Sequence, residues 1–149
     1  MVNILTERRS RFPLTRVSKR HDIVKKEVLF SSNKDEWSTP EKFFHVLDEE
    51  FHFDLDPCAS HENHKCNKYY TAEDDGLRQD CGGGQTCFVN PPYSQNKKWV
   101  QKCYEESLKP STTIVLLVPA RTDVNWFHEY VFGKADVRLV RGSCEIFCR

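Results

Sequence analysis

The sequence predicts an α/β domain with a mostly parallel sheet flanked by helices, and three observations carry that expectation. Apolar segments with the period of strands alternate along the chain with segments of helical period. One segment, Thr112-Thr113-Ile114-Val115-Leu116-Leu117-Val118, is a continuous apolar run rich in β-branched residues, the pattern of a strand covered on both faces. Asp56, Asn90 and Pro119-Ala120-Arg121 fall where candidate strands end, and in parallel sheets the carboxyl ends of strands are where ligands bind.

Residues 1–34 mix charges with few apolar positions and read as a disordered basic arm, with one short element near Ile23 to Phe30. The domain proper spans 35–149. Ser38-Thr39-Pro40-Glu41 is a helix start: Thr39 or Ser38 can cap, Pro40 presets φ, and Glu41 suits the positive end of the helix dipole. The helix runs to about Phe51, with Phe43, Phe44, Leu47 and Phe51 on one face. Phe53 to Pro57 alternates and stops at proline, a short strand whose end presents Asp56. Lys68 to Thr71 is a weaker strand candidate, and Thr86 to Asn90 a further one ending at Pro91-Pro92. Lys97 to Leu108 places Trp99, Val100, Cys103, Tyr104 and Leu108 at helical spacing before Lys109-Pro110 ends it. After the apolar run, Val124 to Phe132 is helical, Gly133 closes it, and Ala135 to Val140 is another strand.

Composition bounds the rest. A chain of 149 residues, 38% hydrophobic and 12% aromatic, holds one globular domain plus a tail. No apolar run approaches the roughly 20 residues that span a bilayer, and no signal peptide opens the sequence, so a cytoplasmic protein is expected. The seven cysteines are scattered rather than spaced as a disulfide framework, which favours reduced thiols. Net charge is zero, but Arg8, Arg9, Arg11, Arg16, Lys19, Arg20, Lys25 and Lys26 crowd the first thirty residues, leaving the remainder acidic. A basic arm suits phosphate contact through counterion release; a solvated leader is the alternative.

Asn90-Pro91-Pro92-Tyr93 is the motif with the most specific chemistry. The lone pair of an adenine N6 amine is delocalised into its ring, so the nitrogen attacks a methyl donor poorly. An Asn90 side-chain oxygen and the Pro91 carbonyl can each accept one N6 hydrogen and favour a pyramidal, nucleophilic nitrogen. The prolines fix the backbone, and Tyr93 can stack on the base, a contact worth about 1 to 3 kcal/mol. A base in a duplex must first be flipped out. The bland alternative is a rigid turn ending a strand. The implied electrophile is S-adenosylmethionine, for which Asp56 is placed to accept hydrogen bonds from the amino group or ribose. Among Asp74, Asp75 and Asp80, one carboxylate can serve the donor ribose and another its adenine amine, or all can be a solvated acidic loop.

Several ordered segments resemble the phage-type DNA N-6-adenine methyltransferase family: Glu36-Trp37-Ser38-Thr39-Pro40, Asp54-Leu55-Asp56-Pro57-Cys58-Ala59, Tyr69-Tyr70-Thr71, Glu73-Asp74-Asp75-Gly76-Leu77, Asn90-Pro91-Pro92-Tyr93, Trp99, and Pro119-Ala120-Arg121-Thr122-Asp123 with Trp126-Phe127. The resemblance covers about Glu36 to Gly142. It implies a Rossmann-like methyltransferase domain, S-adenosylmethionine as cofactor, and adenine in double-stranded DNA as acceptor, with no membrane and no obligate protein partner. Trp37, Thr39 and Pro40 would lie near the donor, Asp56 would bind it together with Asp75 and Asp80, and Asn90, Pro91, Pro92 and Tyr93 would hold the adenine. The chain departs from the family at Asp80-Cys81 with its Gly82-Gly83-Gly84, and again at Ser143 to Arg149, so the final strands are expected to be missing, with a sheet edge left bare. Competing readings are an RNA adenine or protein glutamine methyltransferase, an inactive DNA-binding remnant, and a zinc module built on Cys58, His61, His64 and Cys66.

Overall fold

The structure is a computed structural model that describes residues 38–81, 83–140 and 143–148, with Val140 and 143–148 described by backbone alone. All of them belong to the unit that begins at Ser32. The basic arm with its short element, and Trp37, lie outside the described residues.

Helix α1 (Glu41–Phe51) starts where the sequence places it but without a side-chain cap. Pro40 holds the cap position, and its carbonyl accepts from the amides of Phe43 and Phe44, both at 3.0 Å. The Ser38 and Thr39 hydroxyls bond elsewhere: Ser38 donates to Asn63 Oδ1 at 3.0 Å, and Thr39 accepts from Asn90. His52, with φ 56°, ends the helix in the left-handed region.

Strands β1 (Leu55–Asp56) and β2 (Lys68–Tyr69) are two residues each, shorter than the stretches that announce them. β3 (Thr86–Val89) leads through Asn90-Pro91-Pro92 and a single 3-10 turn at Tyr93–Gln95 into α2 (Asn96–Ser107). Then come β4 (Thr113–Val118), α3 (Asn125–Tyr130), β5 (Asp136–Val140) and β6 (Ser143–Cys148). They form one sheet in the order β2-β1-β3-β4-β6-β5. β1, β2, β3 and β4 pair in parallel, while β6 runs antiparallel to both of its neighbours.

β6 corrects the expectation that residues 143–148 add no strand to the sheet. Residues 143–148, read from sequence as a divergent tail, pair Cys144 with Val118 on one side and with Leu139 on the other. The physical reason is topological: a strand joined to β5 by so short a connection must run antiparallel to it, and it fills the space between β5 and β4. The alternation Cys144, Ile146, Cys148 was the overlooked signal.

The period of two along β3 and β4 divides the core between the two faces of the sheet. Cys87, Val89, Ile114, Leu116 and Val118 pack with Trp99, Val100 and Cys103 of α2 and with Trp126 and Phe127 of α3. Phe88, Val115 and Leu117 meet Phe44 and Leu47 of α1. Phe44 stands edge-on to Phe88 at 5.0 Å and stacks on Phe53 at 5.6 Å, which ties α1 to the end of β3. Each fully buried side chain of this size contributes roughly 1.5–3 kcal/mol. Cys58, Cys66, Cys81, Cys87 and Cys103 are free thiols. Among the described residues no helix is long and apolar enough to cross a membrane.

Candidate functional site

From β1 the chain moves outward to β2, and from β3 it moves the other way to β4, so the strand order reverses between β1 and β3. Connections leaving in opposite directions open a crevice at the carboxyl ends of those two strands. A cleft of about 520 Å³, counting the part open to solvent, lies there. Asp56 from the end of β1 and Asn90, Pro91 and Pro92 from the end of β3 line it, joined by Thr39 from the start of α1 and by the loop that carries Cys58, Ser60, Asn63 and Lys65.

Asp56 is 3% exposed. Its Oδ1 accepts from the Cys58 amide at 3.2 Å and its Oδ2 from the Lys65 amide at 3.0 Å, so the carboxylate organises the whole loop behind it. Burial outweighs these two hydrogen bonds, and the Asp56 carboxyl is pushed up to about 6. A buried carboxyl with so few compensating charges is suited to receiving a cation or a hydrogen-bond donor from a ligand.

Asn90 is oriented by Thr39, whose buried hydroxyl accepts from Asn90 Nδ2 at 3.0 Å. The amide nitrogen is thus turned toward α1, which sets the direction of the amide oxygen. Pro91 is buried and Pro92 half-buried, and the two carry the chain without a backbone donor into the 3-10 turn. Tyr93 opens that turn and is 43% exposed, beside the cleft rather than in its lining. Asn96, directly after the turn, buries its Oδ1 with no hydrogen-bond partner among the described residues.

The structure therefore brings together Thr39, Asp56, Asn90, Pro91 and Pro92, with Pro40 and Tyr93 adjoining them. It does not bring Asp75 or Asp80 to the cleft. Asp75, with φ 50°, follows β2 and pairs with Arg78 at 3.0 Å on the surface. Asp80 lies at the opposite end of the sheet, on Lys109 at 2.7 Å, just before β4 begins. Asp74 folds back on its own turn, accepting from the Thr71 amide and hydroxyl at 2.8 and 2.9 Å. Arg121 and Asp123 are exposed after β4, and no ion pair joins them.

Cys58, His61, His64 and Cys66 do not converge on a common point. His61 Nδ1 meets the Tyr69 hydroxyl at 3.0 Å, His64 Nδ1 meets the Cys66 carbonyl at 3.0 Å, and the His64 ring stacks on Tyr69 at 4.2 Å. Among the described residues no group of three His, Cys, Asp or Glu side chains is placed to hold a metal ion. The loop lining missed from sequence, Ser60, Asn63 and Lys65, has no periodicity to reveal it. The only available signal was its position immediately after the Asp56 strand.

Against known proteins, the profile of the family described as DNA N-6-adenine-methyltransferase (Dam) matches residues 26–147. A DNA N-6-adenine-methyltransferase of Haemophilus phage HP1 (strain HP1c1) is 32% identical over 114 residues, covering 75% of this chain and 65% of the phage protein. The protein of the same name from Escherichia phage T1 is 35% identical over 105 residues, covering 70% of this chain and 44% of that relative. The chain thus spans less than two thirds of the length of either protein. No solved structure matches it. With the profile extending into β6 and these identities over most of the chain, the chain belongs to the DNA N-6-adenine-methyltransferase family.

Proposed function

We propose that the chain transfers a methyl group from S-adenosylmethionine to the N6 amine of adenine in DNA, on a Rossmann-like methyltransferase fold, in the cytoplasm of a bacterial host. The observation that carries this reading is the juxtaposition of Asn90, held by Thr39, with buried Asp56 across one cleft at the strand-order reversal. One polar end suits a planar amine and the other suits the donor.

Asn90 Oδ1 and the Pro91 carbonyl act as the two acceptors for the N6 hydrogens, drawing the lone pair out of conjugation. Tyr93, exposed at the rim, stacks on the extruded base. Asp56 accepts from the donor's α-ammonium, and Thr39 and Pro40 border the donor from the α1 side. The bound donor supplies an electrophilic methyl on a sulfonium, so the protein's own contribution is alignment and charge placement. Arg121 after β4 and Lys97 and Lys98 at the start of α2 are exposed near the carboxyl side and are suited to DNA phosphates.

The test is transfer of labelled methyl from S-adenosylmethionine into unmethylated DNA, RNA and protein by the wild type and Asn90→Ala. Transfer to DNA that falls about 10²–10³-fold in the variant is expected. Label entering RNA or protein in preference to DNA would reassign the acceptor, and DNA labelling that survives Asn90→Ala would remove Asn90 from the mechanism.

A further inference from the structure

Lys65 enters the site above only through its backbone amide, yet its side chain is just 6% exposed. Lysine is among the residues least often buried, because its ammonium is strongly hydrated. Its Nζ rests on Glu41 Oε1, the first residue of α1, and that Glu41 side chain is itself 68% exposed. A sheltered cation is thus tethered by a carboxylate that remains in water. The ammonium in turn holds the Glu41 carboxyl below its ordinary range.

The same cleft contains the buried carboxylate of Asp56, and both residues line it. The Lys65 amide donates to Asp56 Oδ2 at 3.0 Å, which anchors the lysine's backbone on that carboxylate, while Glu41 holds the ammonium at the end of its side chain. Ser60 and Asn63 line the cleft between them in sequence and add neutral hydrogen-bonding groups. A fixed carboxylate and a fixed ammonium in one small cleft are the complement of a zwitterion. An ammonium has three donors, so Lys65 can keep Glu41 and accept a second carboxylate as partner.

Building on the methyl-donor reading, we propose that Lys65 binds the α-carboxylate of the donor's amino-acid group while Asp56 takes its α-ammonium, with Glu41 holding the lysine in position. The cleft then selects adenosyl ligands that carry an intact amino acid over those that lack one.

Calorimetric titration of the full chain with S-adenosylhomocysteine, which carries both charged groups, and with 5′-methylthioadenosine, which carries neither, tests the assignment. In Lys65→Met, affinity for S-adenosylhomocysteine should fall roughly ten- to a hundred-fold. Affinity for methylthioadenosine should stay unchanged, and Lys65→Arg should restore most of the loss. Equal weakening of both ligands would mark Lys65 as a purely structural residue, and an unchanged affinity for S-adenosylhomocysteine would equally overturn the proposal. Should Lys65→Met fail to fold, the wild type decides: S-adenosylmethionine must bind more tightly than its decarboxylated form, and equal affinities refute the carboxylate contact. A wild type that binds none of these adenosyl ligands removes the donor reading itself and this proposal with it, an outcome distinct from the others.

Discussion

The two ends of the sheet treat buried charge in opposite ways. At the amino ends of β3 and β4, Glu106 is 8% exposed and fully engaged: it accepts from the Cys81 amide at 3.1 Å, from Lys102 at 3.2 Å and from Lys109 at 2.7 Å. Lys109 also meets Asp80, and the two carboxylates raise its ammonium above the ordinary lysine range. At the carboxyl ends, Asp56 is more deeply buried but answered by two backbone amides, and nearby Asn96 leaves an acceptor unpaired among the described residues. Charges closed on one another stabilise a fold. Charges left under-compensated in an open cleft hold affinity in reserve for a ligand.

The largest expected contrast comes from Asp56→Asn. Donor affinity should fall about a hundred-fold, the upper end of what a charge-assisted hydrogen bond supplies. Stability should hardly move at neutral pH, because the variant escapes the burial of a charge while losing one acceptor. The pH dependence isolates the first of these effects. The folded carboxyl lies at about 6, above its ordinary 3.8, so the native state holds a proton across that window that the unfolded chain has released. The stabilisation is complete below 3.8 and is lost as pH rises through 6, a swing of about 3 kcal/mol. Melting curves of the wild type should show this loss between pH 4 and 7 relative to Asp56→Asn. Parallel profiles for the two proteins would mean that Asp56 is not the strained charge.

At the other pole the balance reverses. Truncating Glu106→Ala takes this acceptor from the Cys81 amide and a carboxylate from Lys102 and Lys109, which keep the Gln79 carbonyl and Asp80, and removal of one partner from a buried pair costs about 3 kcal/mol. The expected drop in melting temperature is roughly 10 °C for a domain of this size. Below the melting transition, donor binding should be unaffected. A variant that melts normally but loses donor affinity would erase the distinction between the poles.

Gly76→Ala lies between these cases, because it reaches the cleft through the backbone. A Cβ there would sit 2.1 Å from the Pro57 carbonyl oxygen and 3.0 Å from the Trp99 ring. Relief requires shifting the segment directly after Asp56, with an overpacking cost of about 1–3 kcal/mol. Both stability and donor affinity should decline together, in melting and titration, whereas the two pole variants separate these readouts. This glycine is adjacent to Asp75, and the constraint it satisfies is invisible without the close approach of Pro57 and Trp99 to its backbone.

Much of this architecture was legible in the sequence because it rests on local pattern. The run Thr112 to Val118, the apolar face of Phe44 and Leu47, and the strand ending at Asn90 each declare themselves by period. Asp56 and Asn90 could be placed at strand ends, but their adjacency depends on β1 pairing with β3 across thirty residues of loop and short strand. The cap at Thr39 failed for a related reason: the hydroxyl that a helix start would use is drawn to Asn90, a partner distant in sequence. Lys65 was hidden because a lysine in a polar loop has the same local signature whether it is solvated or sheltered. β6 was missed because a short alternating segment after a divergent connection looks like a tail until it has a sheet to join.

Asp80 supplies the smallest effect and the sharpest control. From sequence it was grouped with Asp74 and Asp75, before the Asn90 strand, as a carboxylate for the donor's ribose or adenine amine, but it lies at the far pole, on Lys109. There its side chain is 72% exposed, and its pairing with Lys109 is a surface contact worth at most about 1 kcal/mol. Lys109 retains Glu106 when Asp80 is neutralised, so no buried charge is orphaned. Asp80→Asn should therefore shift melting by at most a few degrees, less in high salt, and leave titration of S-adenosylhomocysteine unchanged. A loss of affinity in Asp80→Asn comparable to that in Asp56→Asn would return Asp80 to the donor site and require the loop that carries it to fold over the cleft.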